Sequence, residues 1–307
     1  MENKHGLMVD ITHKKNTLRI ATAQAIVRVG CQETIDAIQN DKVPKGDIFE
    51  MSKAAGLLGV KKTPELLPDC HPIPLEYTGF SYQIEGLTIA IKCTVKTIYK
   101  TGVEVEAMHG VSIAALNMYD MLKPIDKQVS IEKISLLSKE GGKSSLPKFP
   151  INLRAAVFVC SDSIAAGKGK DKAGKSLCDR LAVQKLDVVD YQVIPDDIDQ
   201  IQAVAKASCT QTDLIVFTGG TGISPRDNTP KALEAIIEKR LPGVEETMRA
   251  YGQNRTPVAM FSRSIAGIRG NAIILALPGS TKGATESLEA IFPSILHLFD
   301  VLKGKRH

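Results

Sequence analysis

The 307-residue chain lacks several features that would fix its class at a glance. No apolar run approaches the roughly 20 residues that span a bilayer, so no membrane partner is expected. The start, MENKHGLMVD, carries no apolar segment of the secretory type. The six cysteines, Cys31, Cys70, Cys93, Cys160, Cys178 and Cys209, are scattered and form no CxxC pair. Reduced thiols and a cytoplasmic location follow as the expectation. The net charge of +5 comes without the dense basic stripe of a nucleic-acid binder, so nucleic acid is not an expected partner, whereas small anionic substrates are. There is no internal repeat and no low-complexity tract.

What remains is ordinary globular composition, 43% hydrophobic and 24% charged, at a length that suggests about two domains. In the first half, LTIAIKCTVK (87–96) puts Leu87, Ile89, Ile91, Cys93 and Val95 on one face of a half-buried strand, with SYQIEG as its hairpin partner. EKISLLSKEGGKSS reads as a strand running into a glycine loop. Helical patterns cover 17–39, 50–60 and 110–122. Glu104 and Glu106 are read on a strand, where a spacing of two gives them a common face. Asp120 and Lys123 lie three apart on the following helix and share a face there. Strands grouped with helices to one side predict an α+β domain over 1–145, of ferredoxin-like type.

SSLPKFPIN (144–152), with prolines, serines and no periodicity, reads as a linker, its core being 146–152. From 153 to 307 strands and helices alternate: LRAAVFVCS, KAGKSLCDRLAVQK, VVDYQVIPDD, IDQIQAVAKASC, DLIVFTGG, TPKALEAIIEKRL, NAIILALPG, and one final helix over TKGATESLEAIFPSILHLFDVLKG. That pattern predicts a doubly wound, mostly parallel α/β domain, which binds ligands beyond the carboxyl ends of its strands. Those ends read CSDS, IPDD, TGGTG and LPGS, all small or acidic and suited to a phosphate with its metal.

GKDKAGKS (169–176) matches GxxxxGK[ST], but a P-loop leaves its strand directly. Here eight residues separate Cys160 from Gly169, and the segment reads more simply as the start of a lysine-bearing helix. TGGTG is the better phosphate cradle: it follows DLIVF at once and precedes Thr229–Pro230, an N-cap and N1 pair. Asp196 and Asp197 are read either as ligand-facing acids or as a helix N-cap with a dipole-favourable neighbour.

Taken together, TGGTGISPRDNTPKA, FVCSDS, IPDD, LPGVEETMR, FSRSIAGIRG and LALPGS, in that family's order over 153–304, closely resemble the molybdopterin adenylyltransferase family. The resemblance implies transfer of AMP from Mg-ATP to the terminal phosphate of molybdopterin. It makes Asp196 and Asp227 the essential carboxylates and magnesium ligands, and leaves Asp197 as an N-terminal helix residue. Backbone amides of Gly219, Gly220, Thr221 and Gly222 would cradle phosphate. Ser161 and Asp162 after the first strand, and Pro278, Gly279 and Ser280, complete the expected substrate-binding set.

In the first half MVDIT, KGDIF, AAGLLGVKKT, LLPDCHP, KTGVEVEA, YDMLK and EGGKSS resemble cyclic pyranopterin monophosphate synthases over about 7–145. This family converts a cyclised dihydro-GTP to a cyclic phosphate of pyranopterin and expels pyrophosphate. The resemblance implies catalytic roles for Lys45, Asp120 and Lys123. It implies substrate contacts from Asp69, Cys70, His71, Glu104, Val105 and Glu106, and no cofactor. Lys61, Lys62 and Lys143 are further cations for the triphosphate. The chain departs from the family pattern at Val105, His109, Asp69 and Ser145. Cys70–His71 taken alone suggests a metal, but no matching ligands follow. The bland readings are a solvated strand face for the glutamates and a surface ion pair for Asp120–Lys123.

Both resemblances imply homo-oligomers, hexamers for the first family and trimers for the second, and a three-fold axis satisfies both. A non-catalytic C-terminal half that only holds molybdopterin is the alternative to adenylylation.

Overall fold

The computed structural model describes residues 8–142, 152–302 and 304. Apart from Asn152, the linker read over 144–152 lies outside the described residues, as do Lys143 and Ser145. Two compact units divide the chain, Met1–Leu146 and Pro147–His307. Among the described residues no helix is long and apolar enough to cross a membrane.

The first unit runs β1 (Thr17–Arg28), α1 (Gln32–Gln39), α2 (Ile48–Leu66), β2 (Tyr77–Glu85), β3 (Thr88–Tyr99), α3 (Glu104–Leu122) and β4 (Ser130–Glu140). The four strands form one antiparallel sheet in the order β2-β3-β1-β4. The helix expected over 17–39 is corrected: its first half is β1. Alanine favours helix locally, but Ala21, Ala23, Ala25 and Val27 are buried at a period of two and pair across to Val95, Cys93, Ile91 and Ile89. Burial on that one face outweighs the weaker local preference. β3 buries Ile89, Ile91, Cys93 and Val95 as its alternation predicts. α2 starts where Asp47 accepts hydrogen bonds from the Phe49 and Glu50 amides, at 2.8 and 3.0 Å. α3 lays Ala107, Val111, Ala114, Ala115, Met118 and Leu122 into the core at helical spacing. It starts before the expected position 110. Glu104 and Glu106 therefore lie in its first turn and not on a strand, and they do not share a face.

The second unit runs β5 (Arg154–Cys160), α4 (Asp162–Ala165), α5 (Ala173–Val183), β6 (Asp187–Ile194), α6 (Ile198–Ser208), β7 (Leu214–Thr218), α7 (Thr229–Glu234), β8 (Lys239–Arg240), α8 (Pro242–Gln253), β9 (Ile265–Arg269), β10 (Ala272–Leu277), α9 (Thr281–Ile291) and α10 (His297–Leu302). Its six-stranded sheet has the order β6-β5-β7-β10-β9-β8. The first four strands are parallel, while β9 runs antiparallel to both its neighbours. Successive β5 residues feed two separate cores. Ala155 and Val157 join Leu177, Leu181 and Leu288 on one face, and Ala156 and Phe158 join Ile201, Ala205 and Leu233 on the other. Helices therefore cover both faces. Phe158 stacks on Phe217 at 5.1 Å, and burying each such ring contributes about 1.5–3 kcal/mol.

Two expected elements are shorter than read. The helix over 229–241 stops at Glu234, because Lys239–Arg240 pair with Ile268 and Gly267 of β9. The final helix breaks at Pro293, whose missing N–H cannot continue α9. β9 and α8 lie in the stretches FSRSIAGIRG and LPGVEETMR, which enter the sequence reading only as motifs. Glu245 of α8 is 4% exposed. It accepts from Arg240 Nε and the Ala266 amide, both at 3.0 Å, which ties α8 to β9.

Candidate active sites

β5 has β6 on one side and β7 on the other, so the chain reverses its direction of travel across the sheet at this point. The adjacent carboxyl ends splay apart and leave a crevice. A cleft of about 890 Å³ opens there, lined by Ser161, Asp162, Asp196, Gly219, Gly220 and Asp227, with Gly279 and Ser280 from the end of β10. These expected residues converge from four separate strand ends.

Four carboxylates line the cleft, and three of them, Asp162, Asp196 and Asp227, follow the ends of β5, β6 and β7. Asp162 Oδ1 accepts the Asp196 amide at 3.1 Å. Asp196 accepts the Asn228 amide and the Thr229 hydroxyl, each at 3.2 Å, and its carbonyl accepts Asn228 Nδ2 at 2.9 Å. Burial pushes the Asp196 carboxyl above its ordinary range, and the charges of Asp227 and Asp162 add to the rise. Asp227 accepts the Ser224 amide at 2.8 Å. Asp197 is the residue that caps α6, accepting the Gln200 amide at 3.0 Å, one position before the helix proper. Ser161 caps α4. The cap of α7 is Asn228 and not Thr229, one residue earlier than expected.

The glycine loop is shaped by close approach. Gly219 has φ +99°, and a Cβ there would sit 2.2 Å from the Cys160 carbonyl oxygen; Gly220 has φ +59°, and its Cβ would meet Asp196 Oδ2 at 2.2 Å. Only glycine admits both the conformation and the contact. Arg263 of FSRS fastens this loop, donating from Nε to the Gly222 carbonyl and from Nη2 to the Asp227 carbonyl, both at 2.6 Å. Sequence reasoning misses this role; the signal that could have found it is the motif FSRSIAGIRG itself. Thr221 is buried, and Thr218 Oγ1 donates to the Pro278 carbonyl at 2.8 Å. Pro278 lies with Thr221, Gly222, Met248, Phe261 and Ser262 on a second cavity of about 360 Å³. Gly279 and Ser280 line both cavities.

GKDKAGKS is not a P-loop. α4 intervenes after β5, and Asp171 already occupies the Gly174 and Lys175 amides at 2.9 and 3.1 Å, so they are not free for phosphate. Yet Lys168, Lys170 and Lys172 of this loop line the main cleft, as does Arg226. Sequence spacing gives no sign of that, because the loop first crosses the end of β5.

The residues expected to hold magnesium fit that ion. Among the described residues no three His, Cys, Asp or Glu side chains are grouped to cage a metal. Magnesium bound with nucleotide needs only one or two carboxylates plus phosphate oxygens. The mutual repulsion of Asp196 and Asp227 is what a divalent ion would relieve.

In the first unit the expected residues fall into two clusters. Lys45 Nζ, from the turn before α2, donates to Asp120 Oδ2 at 2.5 Å and to its carbonyl at 3.0 Å. Lys123 Nζ reaches Asp120 Oδ1 at 2.7 Å. The hydrogen bond from Lys123, then that from Lys45, lowers the Asp120 carboxyl to about 2, and Asp120 raises Lys123 in turn. At the other end of α3, Glu106 is 3% exposed, and burial raises its carboxyl above the ordinary range, with a further push from Glu104. Burial raises the Cys70 thiol too, with smaller contributions from Glu106 and Asp69, which puts these acids near it. Glu104 pairs with Lys139 at 3.3 Å, Val105 is exposed, and His71 Nε2 lies 2.8 Å from the Val9 carbonyl. His109 sits against Thr63 Oγ1 at 3.1 Å. Lys62 faces Glu65 at 3.5 Å. At about 1.5 Å of rise per residue, Glu104 and Asp120 are roughly 24 Å apart along α3. One chain does not bring the two clusters together.

Comparison with known proteins matches both units. A family model described as the MoaC family covers residues 8–142, and one described as a probable molybdopterin binding domain covers 156–297. Over 307 residues the chain is 39% identical to the molybdenum cofactor biosynthesis bifunctional protein of Chlorobaculum tepidum, covering 100% of this chain and 97% of that protein. The protein of the same description from Synechococcus elongatus is 34% identical over 315 residues, covering 98% of each. The first half alone is 44% identical over 148 residues to the cyclic pyranopterin monophosphate synthase of Pelobacter propionicus, 47% of this chain and 91% of that protein.

Proposed function

The chain belongs to the family of bifunctional molybdenum cofactor biosynthesis proteins, and on that premise we propose two separate reactions, one in each unit. The first unit converts cyclised dihydro-GTP to cyclic pyranopterin monophosphate with release of pyrophosphate. The second transfers AMP from Mg-ATP to the terminal phosphate of molybdopterin.

The observation that carries the second assignment is the pair of cavities sharing the Gly279–Ser280 wall. The larger holds carboxylates, glycine amides and cations, the groups a nucleoside triphosphate requires. The smaller is lined by Met248, Phe261 and serines, a surface suited to a flat heteroaromatic ring with polar edges. A phosphate on the pterin would then lie at the shared wall, in line with the α-phosphorus of the nucleotide. Asp196 and Asp227 would hold the magnesium ion, which supplies charge neutralisation at the phosphates.

In the first unit Asp120 stays ionised between two ammonium groups, and Lys45 and Lys123 supply charge for the triphosphate. Glu106 retains its proton above the ordinary carboxyl range, as a general acid must. The strand order 2-3-1-4 with helices after β1 and β3 supports the ferredoxin-like reading of this unit. Since the two clusters sit at opposite ends of α3, we read the synthase site as completed by a second copy of the chain, within a homo-oligomer of three-fold symmetry. The substrates of both units are small molecules, and a cytoplasmic location suits them.

The test is to supply each candidate substrate separately and identify the products by mass spectrometry. Cyclic pyranopterin monophosphate from one and adenylylated molybdopterin with pyrophosphate from the other are expected. Binding of molybdopterin without ATP consumption would mark the second unit as a holder of pterin and not an enzyme.

A further inference from the structure

Most of the cations of the main cleft come from one loop, Ala166–Lys172. Lys168, Lys170 and Lys172 line the main cleft together with Arg226. Among the described residues none of these four side chains has an ion-pair partner. The one acid of the loop, Asp171, also lines the cleft, but no lysine of the loop is paired with it. Asp171 accepts the Gly174 and Lys175 amides, and Tyr191 Oη donates to it at 2.7 Å. Lys45 and Lys123 of the first unit, by contrast, are both committed to Asp120.

The rest of the cleft makes this arrangement consequential. Asp162, Asp196 and Asp227 put negative charge on the side where an α-phosphate would meet the glycine loop. A triphosphate brings further negative charge, most of it on its β and γ groups. Those groups need cations, and the lysine loop brings three of them to the cleft. Lysine chemistry fits such a tail, because a compact ammonium on a flexible stem follows a polyphosphate without demanding one fixed geometry.

Resting on the adenylylation reading, we propose that Lys168 and Lys170 bind the β- and γ-phosphates of the nucleoside triphosphate. They thereby select triphosphate over monophosphate and hold the pyrophosphate until it leaves. The loop acts on substrate binding; the bond to the α-phosphorus is broken among the carboxylates.

The experiment is calorimetric titration of the full chain and of its Lys168→Gln/Lys170→Gln variant with ATP, AMP and inorganic tripolyphosphate, at low and moderate salt. A Lys175→Gln/Lys185→Gln variant changes net charge equally outside the cleft lining. In the lysine-loop variant ATP and tripolyphosphate should bind roughly tenfold or more weakly, as expected for lost charge-assisted contacts, and AMP within about twofold of wild type. The salt dependence of ATP binding should flatten. The KM for ATP should rise while that for molybdopterin stays. Unchanged ATP affinity in the lysine-loop variant overturns the proposal. So does an equal loss for AMP, which would place these lysines at the α-phosphate or in the fold. Wild-type protein that binds tripolyphosphate on these lysines but shows no preference for ATP would leave the phosphate wall standing and remove the adenylylation reading.

Discussion

Gly220→Ala probes the contact on which the second active site depends. At φ +59° a non-glycine residue costs about 1–2 kcal/mol. The new Cβ would lie 2.2 Å from Asp196 Oδ2 and 2.4 Å from Thr229 Oγ1, well inside contact distance. Asp196 must then move off the Asn228 amide or the Thr229 hydroxyl, and one charge-assisted hydrogen bond lost costs about 1.5–3 kcal/mol. The expected total is about 2.5–5 kcal/mol. Gly270→Ala is the matched control: φ is +57° and nothing lies within 4 Å, so only the backbone cost of about 1–2 kcal/mol applies. At about 2–4 °C per kcal/mol for a unit of this size, the extra cost of about 1.5–3 kcal/mol should make the two variants melt roughly 3–12 °C apart. A displacement of Asp196 by about 1 Å should also slow AMP transfer on the order of 100-fold, whereas Gly270→Ala leaves it at wild-type rate. Thermal unfolding followed by calorimetry, with an AMP-transfer assay on both, measures these differences. Equal melting temperatures together with wild-type transfer in Gly220→Ala would refute the packing of Asp196 against this loop.

Three further predictions concern charge and assembly. Glu106 has its carboxyl raised in the folded state, so its contribution to stability is full below the ordinary value of 4.5 and is lost as pH rises through the raised value. Glu106→Gln should therefore raise the melting temperature of the first unit at pH 8 and leave it unchanged at pH 4; equal shifts at both would contradict the burial effect. Chelating divalent ions should stop ATP consumption while pyranopterin formation continues, and equal loss of both activities would count against magnesium at Asp196 and Asp227. Mixing Lys45→Ala chains with Glu106→Gln chains, each inactive alone as synthase, should restore part of the activity if neighbouring copies complete the site. No recovery on mixing, with oligomers shown to exchange, would place the site within one chain.

The alternation of βα units and the convergence of their strand ends are legible in the sequence because parallel strands buried on both faces read as continuous apolar runs. Legibility fails where pairing between distant residues decides structure. Ala21, Ala23 and Ala25 look helical until β3 and β4 flank them. Ile236 and Ile237 extend a helical pattern that ends because Lys239–Arg240 pair with β9. Glu104 and Glu106 are read on the wrong element, since two-residue spacing cannot distinguish a strand from the first turn of a helix. The cations at 168–172 are hidden for a related reason: their chemistry comes from a loop folded back over the sheet, not from a local pattern.

The central claim is that each unit carries its own reaction, and one comparison tests it most directly. Asp120→Asn and Asp227→Asn variants, checked for folding by circular dichroism, are each assayed for both products. Asp120→Asn should lower cyclic pyranopterin monophosphate formation by about 10²–10⁴-fold and leave molybdopterin adenylylation intact. Asp227→Asn should do the reverse, because an amide does not offset the charge of magnesium as a carboxylate does. AMP transfer at wild-type rate in Asp227→Asn, or untouched cyclic phosphate formation in Asp120→Asn, would contradict the assignment of that unit.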